Sequence, residues 1–288
     1  MKKCERGRAP SAHQDPEWIS RHTDRPESGK LLDTPSRVAI ITGAGSAEGI
    51  GAAVAMMLGR AGMKVVVTST TDRIHERVSD LHRADIDASG VVADLTEQRG
   101  VDAVLTAARE RYGVPTVLIN NAGLTSVSRA EPTAAIDDIS IEQWRSALDR
   151  NLTTALRMTR AVIPHMREAG YGRIVNVASL SGPVMAYRGD IGYHTAKAGM
   201  IGLTRGTAID VAASGITVNA VAPGWISTSS SSDHERSMGR ATPMGRSGSA
   251  EEVASAICSL AGAGASYITG QLLLVDGGNS IDEERGMG

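Results

Sequence analysis

A tyrosine and a lysine four positions apart, in Tyr193-His194-Thr195-Ala196-Lys197, are the side chains of this sequence best disposed for chemistry. On a helix that spacing puts both on one face, one turn apart. An ammonium beside a phenol favours the phenolate and lowers the phenol pKa. Such a phenol can give a proton to a carbonyl oxygen or take one from an alcohol. The pair alone is a weak signal, and its weight comes from what precedes it. Ser179 closes the apolar run Arg173-Ile-Val-Asn-Val-Ala-Ser179, fourteen residues before the tyrosine. The glycine-rich turn Thr42-Gly43-Ala44-Gly45-Ser46-Ala47-Glu48-Gly49-Ile50-Gly51 follows the first apolar strand.

These residues need a scaffold, and the hydrophobic pattern describes one. Short runs rich in Val and Ile fall at 38–41, 64–68, 90–93, 116–119, 173–178, 217–221 and 271–275. Several are apolar on both faces, as strands of a covered parallel sheet are. Helical patterns lie between them near 49–61, 97–112, 141–169, 192–213 and 249–262. This alternation predicts an α/β fold: a single Rossmann-like, doubly wound domain with a seven-stranded parallel sheet over 37–280. Residues 281–288 read as a tail. Residues 1–36 are polar and broken by Pro10, Pro16, Pro26 and Pro35, with no apolar h-region. They read as a flexible extension rather than a secretory signal.

Composition excludes several function classes. The 288 residues carry 30 basic and 32 acidic side chains, a formal charge of −2, with no footprint for nucleic acid or an anionic membrane. Aromatic residues make up 3% and Phe is absent, so base-stacking platforms are not expected. Cys4 and Cys258 do not form a disulfide framework, and no His, Asp, Glu or Cys spacing suggests a metal site. A cytoplasmic enzyme without nucleic-acid or membrane partners is the expectation.

Five motifs in order, Thr42-Gly43…Gly49-Ile50-Gly51, Asn120-Asn121-Ala122-Gly123, Ser179, Tyr193-x-x-x-Lys197 and Pro223-Gly224-x-Ile226-x-Thr228, resemble the short-chain dehydrogenase/reductase family over about 36–280. Within it the chain is most similar to the 3-oxoacyl-(acyl carrier protein) reductases, through Thr242-Pro243-Met244-Gly245-Arg246 and Ala265-Ser266-Tyr267-Ile268-Thr269-Gly270-Gln271. One departure stands out. Five residues separate Gly43 from Gly49, where the family usually has three.

The resemblance implies a catalytic set of Asn151, Ser179, Tyr193 and Lys197. It implies nicotinamide-cofactor contacts at Gly43, Gly45, Gly49, Ile50, Ser69, Thr70, Asp94, Leu95, Asn121, Ala122, Gly123, Tyr193, Lys197, Pro223, Gly224, Ile226 and Thr228. Substrate contacts fall to Ser179, Tyr187 and Tyr193, with simple loop packing the alternative for Tyr187. Asp94 has an alternative as an acid at a helix N-terminus. An NAD site usually ends its second strand with an acid for the ribose hydroxyls. Ser69 stands there instead, with Arg73 near enough to receive a 2′-phosphate, so NADP is favoured and NAD remains open through Asp72 or Glu48. The expected reaction is hydride transfer between that cofactor and a small-molecule carbonyl or alcohol. Reduction of a 3-oxoacyl thioester or similar ketone is the first reading, and an NAD-dependent alcohol, diol or sugar dehydrogenase the second. A nucleotide sensor on the same fold is the third, disfavoured because a sensor has no need of the four catalytic residues. An acidic carrier protein would want a basic patch, for which Arg129, Arg167 and Arg173 are available. The resemblance also implies a homotetramer paired through the helices at 141–169 and 192–213.

Overall fold

The computed structural model describes residues 37–123, 133–228 and 231–283. The expected extension at 1–36 with Cys4, the residues Arg129 and Glu131, and the last residues of the tail lie outside the described residues.

Seven parallel strands form one sheet. They are β1 (Val38–Thr42), β2 (Lys64–Ser69), β3 (Ala88–Val92), β4 (Pro115–Asn120), β5 (Gly172–Val177), β6 (Ile216–Pro223) and β7 (Leu272–Val275). Their order is β3-β2-β1-β4-β5-β6-β7. Among the described residues the helices are α1 (Ile50–Arg60), α2 (Arg73–Arg83), α3 (Gln98–Tyr112), α4 (Ile141–Leu148), α5 (Thr154–Glu168), α6 (Ile191–Val211), α7 (Asp233–Arg240) and α8 (Ala250–Ala261), with short 3-10 turns at Ala212–Ser214 and Ala263–Ala265. Every residue of β1, β5 and β6 is buried, as strands rich in Val, Ile and Ala are when covered on both faces. One apolar core joins β1 and β2 to α1 and α8. The other joins the opposite face to α3, α5 and the end of α6. The strand order reverses between β1 and β4, and in an open parallel sheet a cleft forms there, at the carboxyl ends of the strands.

Two differences from the sequence reading have physical causes. The helix expected over 141–169 is two helices joined by a π-helical turn, Asp149–Thr153, that contains Asn151. Turns of this kind are common at functional sites. Helix α2 has no counterpart in the expected pattern, because only Ile74 and Leu81 are fully buried along it and its apolar stripe is narrow. Strand β3 starts at Ala88 rather than residue 90.

Candidate active site

The rim of the cleft is held by one hydroxyl. Thr42, the last residue of β1, donates to the Ile119 carbonyl (3.3 Å) and accepts from the N–H groups of Asn121 (3.0 Å) and Ala122 (2.9 Å). Asn121 returns the contact, its Nδ2 donating to the carbonyls of Thr42 (3.0 Å) and Gly43 (2.9 Å). The ends of β1 and β4 are thereby fastened together beneath the glycine-rich turn. Thr42 was read from the sequence only as part of that turn, so its joining role went unseen.

The turn leads into α1, whose N-cap is Gly49, with no side-chain cap. The first N–H groups of such a helix lack intrahelical partners and favour an anion. Ile50 is the first residue of α1. On the other side, Ser69 lies so close to Gly45 that a Cβ there would come 2.9 Å from the Ser69 Cβ. The Ser69 hydroxyl donates to the Thr71 carbonyl (2.8 Å) and accepts from the Thr71 N–H (3.2 Å). Arg73 donates to the Thr71 hydroxyl at 3.4 Å, and Thr70, Asp72 and Glu48 are exposed. The uncapped helix and the crowded glycine turn fit a pyrophosphate cradle, and no carboxylate occupies the strand-end position at Ser69.

At the end of β3 the Asp94 carboxylate accepts from the Thr96 N–H (2.9 Å) and hydroxyl (2.6 Å). The N-cap of α3 is Glu97, so Asp94 is not itself the helix-capping acid. The Leu95 side chain is in the core, which leaves its main chain as the part able to meet a ligand.

The catalytic candidates gather on the other side of the switch point. Tyr193 and Lys197 share a face of α6, and both are buried. The Lys197 ammonium donates to the Val177 carbonyl at 2.9 Å and lies 5.7 Å from the Tyr193 ring centroid. Asn151 is fully buried and its Nδ2 donates to the Ala147 carbonyl (3.1 Å). Gly123 marks the convergence: a Cβ there would lie 2.8 Å from Asn151 Oδ1 and 3.5 Å from Lys197 Nζ, at a φ of +149°. Ser179 follows β5 by two residues, where Ala178 and Leu180 still donate to the Val221 and Pro223 carbonyls of β6. Its Oγ accepts from the Ser181 N–H (3.1 Å), a bond that does not use the hydroxyl proton.

A buried chain of side chains supports this arrangement. Asn120 Nδ2 donates to the Thr159 hydroxyl (3.0 Å) and to Asn176 Oδ1 (2.8 Å), and Asn176 Nδ2 donates to the Thr204 hydroxyl (2.9 Å). It ties α5, β4, β5 and α6 in sequence. Two asparagines inside otherwise apolar strands were the available signal, because a buried amide needs partners.

Tyr187 lies on the β5–α6 loop, 46% exposed. Its hydroxyl donates to Asp190 Oδ2 at 3.0 Å, and burial followed by that carboxylate pushes its pKa up. Beyond β6, Gly224 donates to the Val275 carbonyl and Ile226 bridges to Gly248. The Thr228 N–H donates to Ser231 Oγ (2.9 Å), ahead of the short exposed α7. Two arginines suggested for carrier docking lie elsewhere. Arg173 is buried at the start of β5, its guanidinium donating to the carbonyls of Gly262, Gly172 and Gly215. Arg167 donates to the Asp210 carbonyl near the end of α6. Both are at the amino ends of the strands, opposite Ser179. Among the described residues no group of three His, Cys, Asp or Glu side chains could hold a metal ion, and no helix is long and apolar enough to cross a membrane.

A parallel sheet with a phosphate cradle at its switch point and a Tyr–Lys pair beside it defines a nicotinamide-dependent oxidoreductase. The family model described as Enoyl-(Acyl carrier protein) reductase matches residues 43–280. The 3-oxoacyl-(acyl carrier protein) reductase of Pseudomonas aeruginosa is 36% identical over 252 residues, 86% of this chain and 98% of that one. The cis-4-hydroxycyclohexanecarboxylate dehydrogenase of Sinomonas cyclohexanicum is 39% identical over 246 residues, 84% and 96% of the two chains. A solved variant of actinorhodin polyketide ketoreductase with NADPH superposes with a TM-score of 0.78 at 33% identity, over 86% of this chain and 98% of that one. The chain belongs to the short-chain dehydrogenase/reductase family.

Proposed function

We propose that this enzyme is an NADPH-dependent carbonyl reductase acting on a 3-oxoacyl thioester or a similar ketone. The convergence of Asn151 and Lys197 on Gly123, with Tyr193 beside Lys197 and Ser179 two residues past β5, is the observation that carries the reading. The nicotinamide, when bound, supplies the hydride. Tyr193 gives its proton to the substrate oxygen. Ser179 donates a hydrogen bond to the same oxygen and offsets the negative charge that grows there. Lys197 keeps a positive charge beside the phenol and favours its ionised form. Asn151, held by the Ala147 carbonyl, positions a water that carries protons to Lys197.

The NADP preference rests on Ser69 in place of an acid and on Arg73 one short turn away. The relatives add support: one is named for 3-oxoacyl reduction and one was solved with NADPH. The enzyme is a homotetramer in this reading, and exposed Leu156 on α5 and Ile209 on α6 suit pairing of those helices between subunits.

The likeness to a dehydrogenase of a cyclic hydroxy acid favours one second reading, oxidation of a secondary alcohol with NAD. One experiment separates the two. NADPH and NADH oxidation is measured over a panel of ketones and 3-oxoacyl thioesters, beside the reverse assay with alcohols. Faster ketone reduction with NADPH is expected. Turnover confined to alcohols and NAD would replace the first reading with the second.

A further inference from the structure

His194 is the residue next to the phenol, yet one position along a helix is a rotation of about 100°, so it does not share the Tyr193–Lys197 face. It turns instead toward the loop between β5 and α6. The imidazole is buried, with 8% exposure. Its Nε2 lies 3.4 Å from the Tyr187 N–H, placed to accept from it. The two rings meet edge to face, centroids 4.5 Å apart at 75°.

The first part of the loop is fastened by main-chain bonds such as Leu180 to Pro223 and Gly182 to Met185, and the part at 186–189 is tied differently. Among the described residues, positions 186–189 make no main-chain hydrogen bond to another main-chain group. Their tethers are the Tyr187 N–H to His194 and the Tyr187 hydroxyl to Asp190, three residues on. Asp190 is the N-cap of α6, and its carbonyl accepts from the His194 N–H at 3.2 Å. The N-cap and first turn of α6 therefore hold Tyr187 at its hydroxyl and at its main-chain N–H. The Tyr187 hydroxyl proton is spent on Asp190, so toward a substrate this residue offers its ring.

We propose that His194 is a positioning residue for substrate: it holds Tyr187 and the 186–189 segment beside Tyr193, so that the Tyr187 ring packs against the apolar part of the ketone. The proposal rests on the carbonyl-reductase reading for its kinetic arm only. His194 also meets the Tyr193 ring, centroids 6.2 Å apart at 60°, and its proposed effect on substrate comes from its hold on Tyr187.

The test compares His194→Ala, His194→Phe and His194→Gln with the wild type. Phe keeps a ring against Tyr187 but cannot accept its N–H, whereas the Gln amide oxygen can. In hydrogen–deuterium exchange of the intact protein, the peptide covering 183–190 should exchange faster in the Ala and Phe variants and near the wild-type rate in Gln. In steady-state assays the ketone KM should rise about 3–10-fold in Ala and Phe, the range one lost hydrogen bond gives. The NADPH KM and kcat should change less than about twofold, and Gln should recover most of the loss. Should His194→Ala not fold, the Phe and Gln pair carries the comparison. Unchanged loop exchange overturns the proposal, and so does faster exchange with an unchanged ketone KM. A wild type that reduces no ketone removes the function reading instead, and the exchange measurement then decides alone whether His194 holds the loop.

Discussion

The nucleotide half of the cleft and the catalytic half are built by different means. Around β2 and β3, beyond the long-range Thr42–Asn121 joint at the switch point, the bonds that shape the candidate site are local: Ser69 to Thr71, half-buried, and Asp94 to Thr96, exposed, each two residues apart. Around β4 to β6 Asn151 and Ser179 also make local bonds, to Ala147 and Ser181, but the bonds that join one element to the next are buried and distant in sequence. Lys197 reaches Val177, Asn120 reaches Thr159 and Asn176, and Asn176 reaches Thr204. A site made of short turns can change its ligand by one surface substitution. A site made of buried cross-links can not, because each lost partner strands another polar group. The enzyme therefore combines an adjustable cofactor rim with a fixed reaction centre.

The largest effect should come from the centre itself. Tyr193→Phe removes the proposed proton donor and keeps the ring, so kcat should fall about 10²–10⁴-fold. NADPH binding, measured by fluorescence titration, should be retained. Near-normal turnover would take the phenol out of the chemistry and leave the catalytic half without its defining residue.

Stability separates the halves next. Asn176→Ala takes one buried partner from Asn120, which keeps Thr159, and one from Thr204, which keeps the Met200 carbonyl, and should cost about 2–3 kcal/mol in urea unfolding. Asp94→Asn, in an exposed local turn, should cost about 0.5 kcal/mol. Equal costs would erase the contrast.

Cofactor choice tests how adjustable the rim is. Ser69→Asp can still accept the Thr71 N–H, so the turn should survive. Its carboxylate would repel a 2′-phosphate and accept from the ribose hydroxyls of NAD. Wild type should favour NADPH by ~10-fold in kcat/KM, about 1.4 kcal/mol, and the variant should favour NADH. A wild type that already prefers NADH would make Asp72 or Glu48 the ribose partner.

The smallest effect is a slope. Burial holds the His194 pKa below its ordinary value of 6.5, against a weaker opposing pull from Asp190. As pH falls through 6.5 the unfolded chain binds the proton first, so stability contributed by neutral His194 is present above 6.5 and lost as pH drops toward the folded value. Urea midpoints between pH 7.5 and 5 should fall less steeply for His194→Gln than for wild type. A steeper slope in the variant would place another group in control.

Much of this architecture was legible beforehand. Runs rich in Val and Ile, several of them apolar on both faces, announced the strands, and all seven are present in one parallel sheet. The Tyr-x-x-x-Lys spacing announced a shared helix face, and 5.7 Å from ring centroid to ammonium agrees with it. Other features were not legible because their cause is not local. The π turn at Asp149–Thr153 leaves no mark on a periodic pattern that continues on either side. Helix α2 hid because only two of its side chains are fully buried.

By itself, then, the sequence determined which residues could do chemistry and which elements carry them, because rotation per residue along a helix or strand is set by backbone geometry. Tertiary structure alone decided which distant groups meet. It brought the Val177 carbonyl to Lys197, made Thr42 the joint between β1 and β4, and set His194 between Tyr187 and the Tyr193 ring. It also placed Arg167 and Arg173 at the far end of the strands. Such pairings follow from strand order and helix packing, which bring together side chains that no spacing along the chain relates.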